Sequence, residues 1–165
     1  TSKISMVFSS TKTILRHRTN PIPELSSPNL INLPDMARRT GTPTSGWQWM
    51  KVKFSNPSTG VSKEDWFGLN TGDRRIILKK ESLCDGLGLP LTVDDSCNYD
   101  SRCSLDFIEA DKPVKLDNTP VSVRLEDCRF ARGGEARNIG GGVEFLKKYT
   151  MILYDLKRVL VPATM

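Results

Sequence analysis

The residues best suited to chemistry in this sequence are basic ones, set among glycines near the C-terminal end. They are Arg129, Arg132, Arg137, Lys147 and Lys148. Guanidinium and backbone N–H groups, in a loop with little side-chain bulk, are good donors to phosphate oxygens. The pattern predicts a binding surface for nucleic acid or another polyanion. A solvated loop whose arginines only confer solubility is the alternative.

The first 46 residues carry further basic residues, which we assign to the same predicted surface. These are Lys12, Arg16, Arg18, Arg38 and Arg39. Trp47 and Trp49 follow directly, and indole rings beside basic residues can stack on unpaired bases. Tryptophans at the start of a strand also serve as core or interface residues, so both roles stay open. Anionic lipid headgroups are an alternative ligand for this surface.

Acidic residues are concentrated in one segment of the chain. Residues 83–128 carry ten acidic and four basic residues, although the net charge of the whole chain is +5. Such segregation lets an acidic face of one copy meet a basic face of the next. We therefore predict self-association through an acidic face, with solvated loops as the alternative. The residues of this face are Asp94, Asp95, Asp100, Asp106, Glu109 and Asp111.

The acidic and cysteine residues match no metal motif. A calcium loop beginning at Asp94 would need glycine where Tyr99 stands and glutamate where Leu105 stands. The four cysteines, Cys84, Cys97, Cys103 and Cys128, form no C-x-x-C pair, and the single histidine, His17, is far upstream. The sequence predicts reduced thiols, no metal and no cofactor.

Catalytic motifs are also missing from the sequence. A serine or cysteine nucleophile would have to recruit His17 as its base, because the chain has one histidine. The sequence contains neither the phosphate-binding motif G-x-x-x-x-G-K-[ST] nor the dinucleotide-binding motif G-x-G-x-x-G. We therefore expect a protein that is not an enzyme and has no small-molecule substrate. A metal-dependent nuclease that uses Asp106, Glu109 and Asp111 is the least favoured alternative.

Hydrophobic patterning predicts the elements that must position these residues. Residues 47–54 alternate, with Met50, Val52 and Phe54 on one face, and residues 121–126 alternate most clearly. Further strands are predicted at 74–79 and 103–108, and a turn at 56–60. An N-cap-like serine with an acid three residues later predicts one or two helical turns at 62–67.

The last segment supports two interpretations. Leu146, Tyr149, Leu153, Leu156 and Leu160 have helical spacing, yet residues 149–154 and 158–161 also form two apolar strand-like runs. We favour the strands. The predicted fold is mainly β, an antiparallel sandwich or twisted sheet with one or two short helices. The alternative is an α+β fold with a C-terminal helix packed on a sheet.

Proline content divides the chain into two regions. Five prolines lie between residues 20 and 46, among many polar residues. We expect residues 1–46 to be an extended, basic, Pro-rich arm and residues 47–165 to form one compact β-rich domain.

Taken together, these features favour a non-enzymatic assembly protein that self-associates and binds single-stranded RNA or DNA, of viral coat- or matrix-protein type. Alternatives are an accessory subunit of a ribonucleoprotein complex and a membrane-surface matrix protein. No apolar run reaches the roughly 18 residues that span a bilayer, and no secretory leader is apparent. We expect a soluble intracellular protein, in the cytoplasm or within a virion or other large assembly, that is not secreted.

Overall fold

The structure is a computed structural model that describes most of the chain. It describes residues 3–8, 13–18, 30–34, 48–70, 74–93, 98–126, 137–154 and 157–162, with the backbone alone for 3–8, 13–18, 154 and 157. Lys12, Arg38, Arg39, Trp47, Asp94, Asp95, Arg129 and Arg132 lie outside the described residues.

The described residues form mostly strands. The strands are β1 (Lys3–Phe8), β2 (Thr13–Arg18), β3 (Ile31–Asn32), β4 (Gln48–Ser55), β5 (Ser62–Asn70), β6 (Ile76–Lys79), β7 (Thr92–Val93), β8 (Asn98–Asp106), β9 (Lys115–Arg124), β10 (Ile139–Gly141), β11 (Tyr149–Tyr154) and β12 (Lys157–Pro162). A π-helical turn (Lys80–Cys84) continues into the one-turn helix α1 (Asp85–Leu87), and α2 (Gly142–Lys148) joins β10 to β11.

The strands form two sheets. One has the order β2-β1-β11-β12-β3, and the other has the order β4-β5-β10-β6-β9-β8-β7. In the second sheet β4 also pairs with β8, so β4, β5, β10, β6, β9 and β8 close on themselves. We call these six strands the ring. Two of its pairings, β5 with β10 and β6 with β9, are parallel, and the remaining pairings within it are antiparallel.

A single apolar core fills the ring and extends to the five-stranded sheet. Phe54, Phe67, Phe107 and Phe145 are fully buried in it, and successive ring centroids are 6.3, 5.7 and 4.7 Å apart. Met151 of β11 and Leu160 of β12 belong to the same core cluster. The two sheets are therefore packed layers that share one core.

Strand β10 is inserted between β5 and β6, which are consecutive in the chain. Gly140 has a φ of +106°, and a Cβ at this position would lie 2.0 Å from the carbonyl oxygen of Arg75. Only glycine fits such a close approach to backbone. Gly140 thus allows β10 to occupy its place in the ring.

The structure confirms the mainly β prediction with two short helices. It also confirms strands rather than a long helix at the C-terminus, where β11 and β12 form an antiparallel hairpin. The turn predicted at 56–60 is present, and Asn56 Oδ1 accepts a hydrogen bond from Ser58 N at 2.9 Å. Met50, Val52 and Phe54 face the core as predicted.

The helical turns predicted at 62–67 are wrong, because this stretch belongs to β5. Every residue from Ser62 to Leu69 is paired in register with β4, and Phe67 and Leu69 alternate into the core. The cap-like serine and acid are a local signal, and tertiary pairing outweighs it.

The described parts of residues 1–46 contribute three strands, and the division of the chain at residue 47 stays a prediction. Strand β1 pairs with β11, β2 pairs with β1, and β3 pairs with β12. Leu30, Ile31 and Leu33 are buried, at 5–6% exposure. The physical reason is that β11 and β12 offer backbone hydrogen-bonding edges, which strands from the start of the chain satisfy.

Candidate nucleic-acid interface

Helix α2 positions two of the basic residues that the sequence assigned to polyanion binding. Glu144 lies in its first turn, and Lys147 and Lys148 lie in its last turn. This order of charges complements the helix dipole. Phe145, in the same helix, is fully buried and packs against Phe107 at a centroid distance of 4.7 Å. Burial of Phe145 therefore fixes the helix with both lysines exposed.

The fold adds a third lysine to this pair. Lys115 is the first residue of β9, and its carbonyl oxygen accepts a hydrogen bond from Lys148 Nζ at 3.4 Å. Burial raises the pKa of Tyr149, and a hydrogen bond with the Lys115 backbone opposes that shift. We call Lys115, Lys147 and Lys148 the lysine cluster; all three side chains are exposed.

Sequence reasoning missed Lys115 because it lies inside the predominantly acidic segment 83–128. Pro113 precedes the start of β9 at Lys115, but no local feature of the sequence indicates that Lys115 lies beside α2. Two acids lie beside the cluster: Glu144 Oε1 is 3.2 Å from Lys147 Nζ, and Asp106 is opposite Lys115 in the β8–β9 ladder. The ion pair is at Lys147, so Lys147 contributes less uncompensated charge than Lys148.

The other predicted basic residues are distributed elsewhere. Arg137 is half-buried and precedes β10, at the opposite end of the β10–α2 segment from the two helical lysines. Arg16 and Arg18 lie on β2, an edge strand of the five-stranded sheet, where only the backbone is described. The remaining five lie outside the described residues, as stated above.

Trp49 does not present a free ring for base stacking. Its side chain is 6% exposed and lies over Gly68, where a Cβ would be 3.0 Å from Trp49 Cζ3. Trp66 lies on the same outer face of β4 and β5, is half-buried, and has Lys51 Nζ 4.5 Å from its ring centroid. The structure thus supports a packing role for Trp49, which we remove from the proposed surface.

The predicted acidic face is interrupted by lysines. Asp100 on β8 is exposed. Asp106, at the end of β8, is half-buried and lies opposite Lys53 on one neighbouring strand and Lys115 on the other. Charges that are separate along the chain are therefore mixed on this part of the surface.

Two of the predicted acidic residues accept hydrogen bonds from backbone N–H groups of other segments. Glu109 Oε1 accepts a hydrogen bond from Lys51 N at 2.5 Å, just beyond the point where β8 stops pairing with β4. Asp111 accepts hydrogen bonds from Asn32 N at 2.8 Å and Asn32 Nδ2 at 2.7 Å. These bonds lower the pKa of Asp111, with the Asn32 side chain as the largest cause. Both carboxylates attach neighbouring segments to the ring.

The described cysteines are packing residues. Cys84 and Cys103 are free thiols at 1% and 0% exposure. Burial raises the pKa of Cys84 well above its usual range, and raises that of Cys103 to about 11. Thiols of this kind are mostly protonated at neutral pH, and the thiolate is the nucleophile. Within the described part of the chain, no three His, Cys, Asp or Glu side chains are grouped for metal binding.

Comparison with known proteins does not identify a family. No family model matches the chain, and no curated protein is significantly similar to it. Among the described residues, neither helix has the length and apolar character needed to cross a bilayer. The lysine cluster is therefore interpreted from its own geometry.

Proposed function

We propose that this chain is a non-enzymatic assembly protein that binds nucleic acid, as the small shell-forming proteins of viral coats and matrices do. The observation that carries the proposal is the lysine cluster, in which α2 lies beside the start of β9, with Lys148 Nζ 3.4 Å from the Lys115 carbonyl oxygen and all three lysines exposed. Lysines of this kind bind phosphates as point charges and release counterions when they do so. The net charge of +5 favours the same class of ligand.

The binding surface centres on Lys115 and Lys148. Lys147 contributes less, because Glu144 is 3.2 Å from its Nζ atom. Contacts of this type read the phosphate backbone and not the bases, so the expected binding has little sequence preference. Without an exposed Trp49, base stacking is not part of the proposal.

Self-association is the second part of the proposed function. Exposed Asp100 on β8 carries negative charge, and the lysine cluster carries positive charge. A head-to-tail contact between an acidic face and a basic face of the next copy generates rings or filaments. Bound nucleic acid would neutralise the remaining basic surface as copies assemble.

The test is a fluorescence-anisotropy titration of a labelled single-stranded oligonucleotide at about 50 and about 200 mM salt. We expect binding that weakens steeply with salt. In a Lys115→Ala/Lys148→Ala variant, the slope of log K against log salt should fall by about 0.7 for each lysine removed. Unchanged affinity and slope in this variant would refute the assigned surface.

Lys63→Gln is the matched control. Lys63 Nζ donates a hydrogen bond to Ser82 O at 2.6 Å, and Ser82 N donates one to Glu126 Oε1 at 2.7 Å, beyond the end of β9. Lys63 therefore lies at the opposite end of β9 from Lys115, and its loss should leave the slope unchanged.

Sedimentation velocity separates the assembly role from the alternatives. Concentration-dependent homo-oligomers, strengthened by the oligonucleotide, are expected. A strict monomer at all concentrations that still binds the oligonucleotide would favour an accessory subunit of a ribonucleoprotein. Pelleting with anionic vesicles and no oligonucleotide binding would favour a membrane-surface protein.

A further inference from the structure

The five-stranded sheet meets the ring at a polar contact that the proposed function does not use. Arg158 of β12 donates from Nη1 to the carbonyl oxygen of Leu69 at 3.0 Å. Gln48 of β4 lies directly opposite Leu69 in the ladder, and its Nε2 donates to Pro34 O. Leu33 N donates to Arg158 O at 3.1 Å. We call Leu33, Pro34, Gln48, Leu69 and Arg158 the junction.

Gln48 leaves one hydrogen-bonding group unsatisfied at the junction. Its side chain is 1% exposed, and its Oε1 atom is buried without a partner. Reversing the amide would place an oxygen against the Pro34 carbonyl, so the observed orientation is the favourable one. A buried acceptor without a donor is costly, and such groups in proteins commonly indicate a bound water or ligand.

Arg158, at the same junction, has more hydrogen-bond donors than acceptors around it. It uses one donor on Leu69 O, and no carboxylate pairs with it in the part of the chain that the structure describes. Burial lowers its pKa to about 10, so the surrounding protein does not compensate its charge. A half-buried guanidinium with free donors calls for an anionic acceptor.

We infer that the junction binds a small oxyanion that carries a hydroxyl group, such as hydrogen phosphate. Arg158 and Gln48 are neighbours at the junction, because Leu69 accepts a hydrogen bond from the Arg158 guanidinium and is paired with Gln48 in the β4–β5 ladder. The guanidinium donates to the anionic oxygens, and the ligand hydroxyl donates to Gln48 Oε1. The ligand thereby satisfies the cation and the orphaned acceptor together.

The hydroxyl requirement makes the inference specific. Hydrogen phosphate keeps a proton at neutral pH, whereas sulfate has similar size and charge but no proton to donate. Sulfate would place an oxygen against Gln48 Oε1, and two unshared acceptors repel each other. The site should therefore prefer hydrogen phosphate to sulfate, which a simple basic surface would not do.

The experiment measures thermal unfolding of the full chain in phosphate, sulfate and chloride at pH 7 and equal ionic strength. At about ten times Kd, phosphate should raise Tm by about 3–6 °C more than chloride, and sulfate should have a clearly smaller effect. Equal effects of phosphate and sulfate would overturn the hydroxyl requirement. No phosphate effect beyond chloride would overturn the site and leave water as the partner of Gln48.

Two variants locate the effect. Arg158→Met should abolish the phosphate response, and Gln48→Met should remove the preference for phosphate over sulfate. Arg102→Met is the control, because Arg102 is an exposed arginine that contacts only Asn118 O among the described hydrogen bonds. If either junction variant fails to fold, isothermal titration of phosphate into Arg158→Lys replaces it, with weaker binding expected.

The lysine cluster is tested separately from the junction. The Lys115→Ala/Lys148→Ala variant should keep the full phosphate response, whatever happens to its oligonucleotide binding. Loss of the phosphate response in this variant, with Arg158→Met unaffected, would assign the anion to the lysine cluster and overturn the inference.

Discussion

The ring and the five-stranded sheet are built from different parts of the chain. All six strands of the ring lie between residues 48 and 141, whereas the sheet takes strands from residues 3–32 and 149–162. The strands of the ring pair in a closed circuit, whereas β2 and β3 are the edge strands of the five-stranded sheet. Polar contacts such as Asp111 with Asn32 and Arg158 with Leu69 attach the sheet to the ring. We therefore expect single substitutions to damage the ring far more than these attachments.

The largest effect is expected from Gly140→Ala, which breaks the ring at its inserted strand. The new methyl group would lie 2.0 Å from Arg75 O, a backbone atom, and the φ of +106° is strained for any residue but glycine. We expect loss of the cooperative unfolding transition, measured by circular dichroism. Gly86→Ala is the control, because nothing lies within 4 Å of its Cβ position and stability should stay within about 0.5 kcal/mol. A folded Gly140→Ala protein would show that β10 is not essential to the ring.

Asn138→Ala tests the same insertion through hydrogen bonds and not through sterics. Asn138 is 1% exposed; its Oδ1 accepts from Lys79 N at 2.9 Å, and its Nδ2 donates to Asp65 Oδ2 and Trp66 O, both at 3.0 Å. It thus connects β5 to β6 beside the start of β10. Leaving these partners unsatisfied should cost about 2–4 kcal/mol in a urea titration. A loss below about 0.5 kcal/mol would show that water replaces the amide.

The buried thiol of Cys103, inside the ring, makes the stability of the protein depend on pH. Burial raises the pKa of Cys103 from 9.0 to about 11, so its thiol stays protonated in the fold and its Sγ donates to Ser55 O at 3.4 Å. The stability from this protonated thiol is complete below the unfolded pKa and is lost as pH rises towards the folded value. The advantage of the parent over Cys103→Ala should therefore shrink by about 1–2 kcal/mol between pH 9 and pH 11. Val123→Ala, a buried substitution without a titrating group, should keep a constant cost over the same range.

Sequence patterning identified the strands that alternate over a buried face, because that signal is local. Met50, Val52 and Phe54, and the two C-terminal strands, were predicted for this reason. Pairings between distant segments were not predictable: nothing near β1 indicates that its partner is β11. The same limit explains the site. Lys148 was identified from its local run of basic residues, whereas its contact with Lys115 depends on the packing of α2 against β9.

The smallest effect is expected where the sheet is attached to the ring, in Asp111→Asn. Asp111 is exposed, and the bonds it accepts from Asn32 are partly replaceable by water, so the loss should stay below about 1 kcal/mol. The pKa of Asp111 is lowered mainly by the Asn32 side chain, so its contribution is complete above the unfolded pKa and disappears as pH falls through the folded value. Urea titrations from pH 7 down to well below pH 4 should show a difference between parent and variant that vanishes at the acid end. A loss at pH 7 comparable to that of Asn138→Ala would mean that the sheet depends on this attachment as strongly as the ring depends on its buried amide. The expected difference in sensitivity between the two regions would then be wrong.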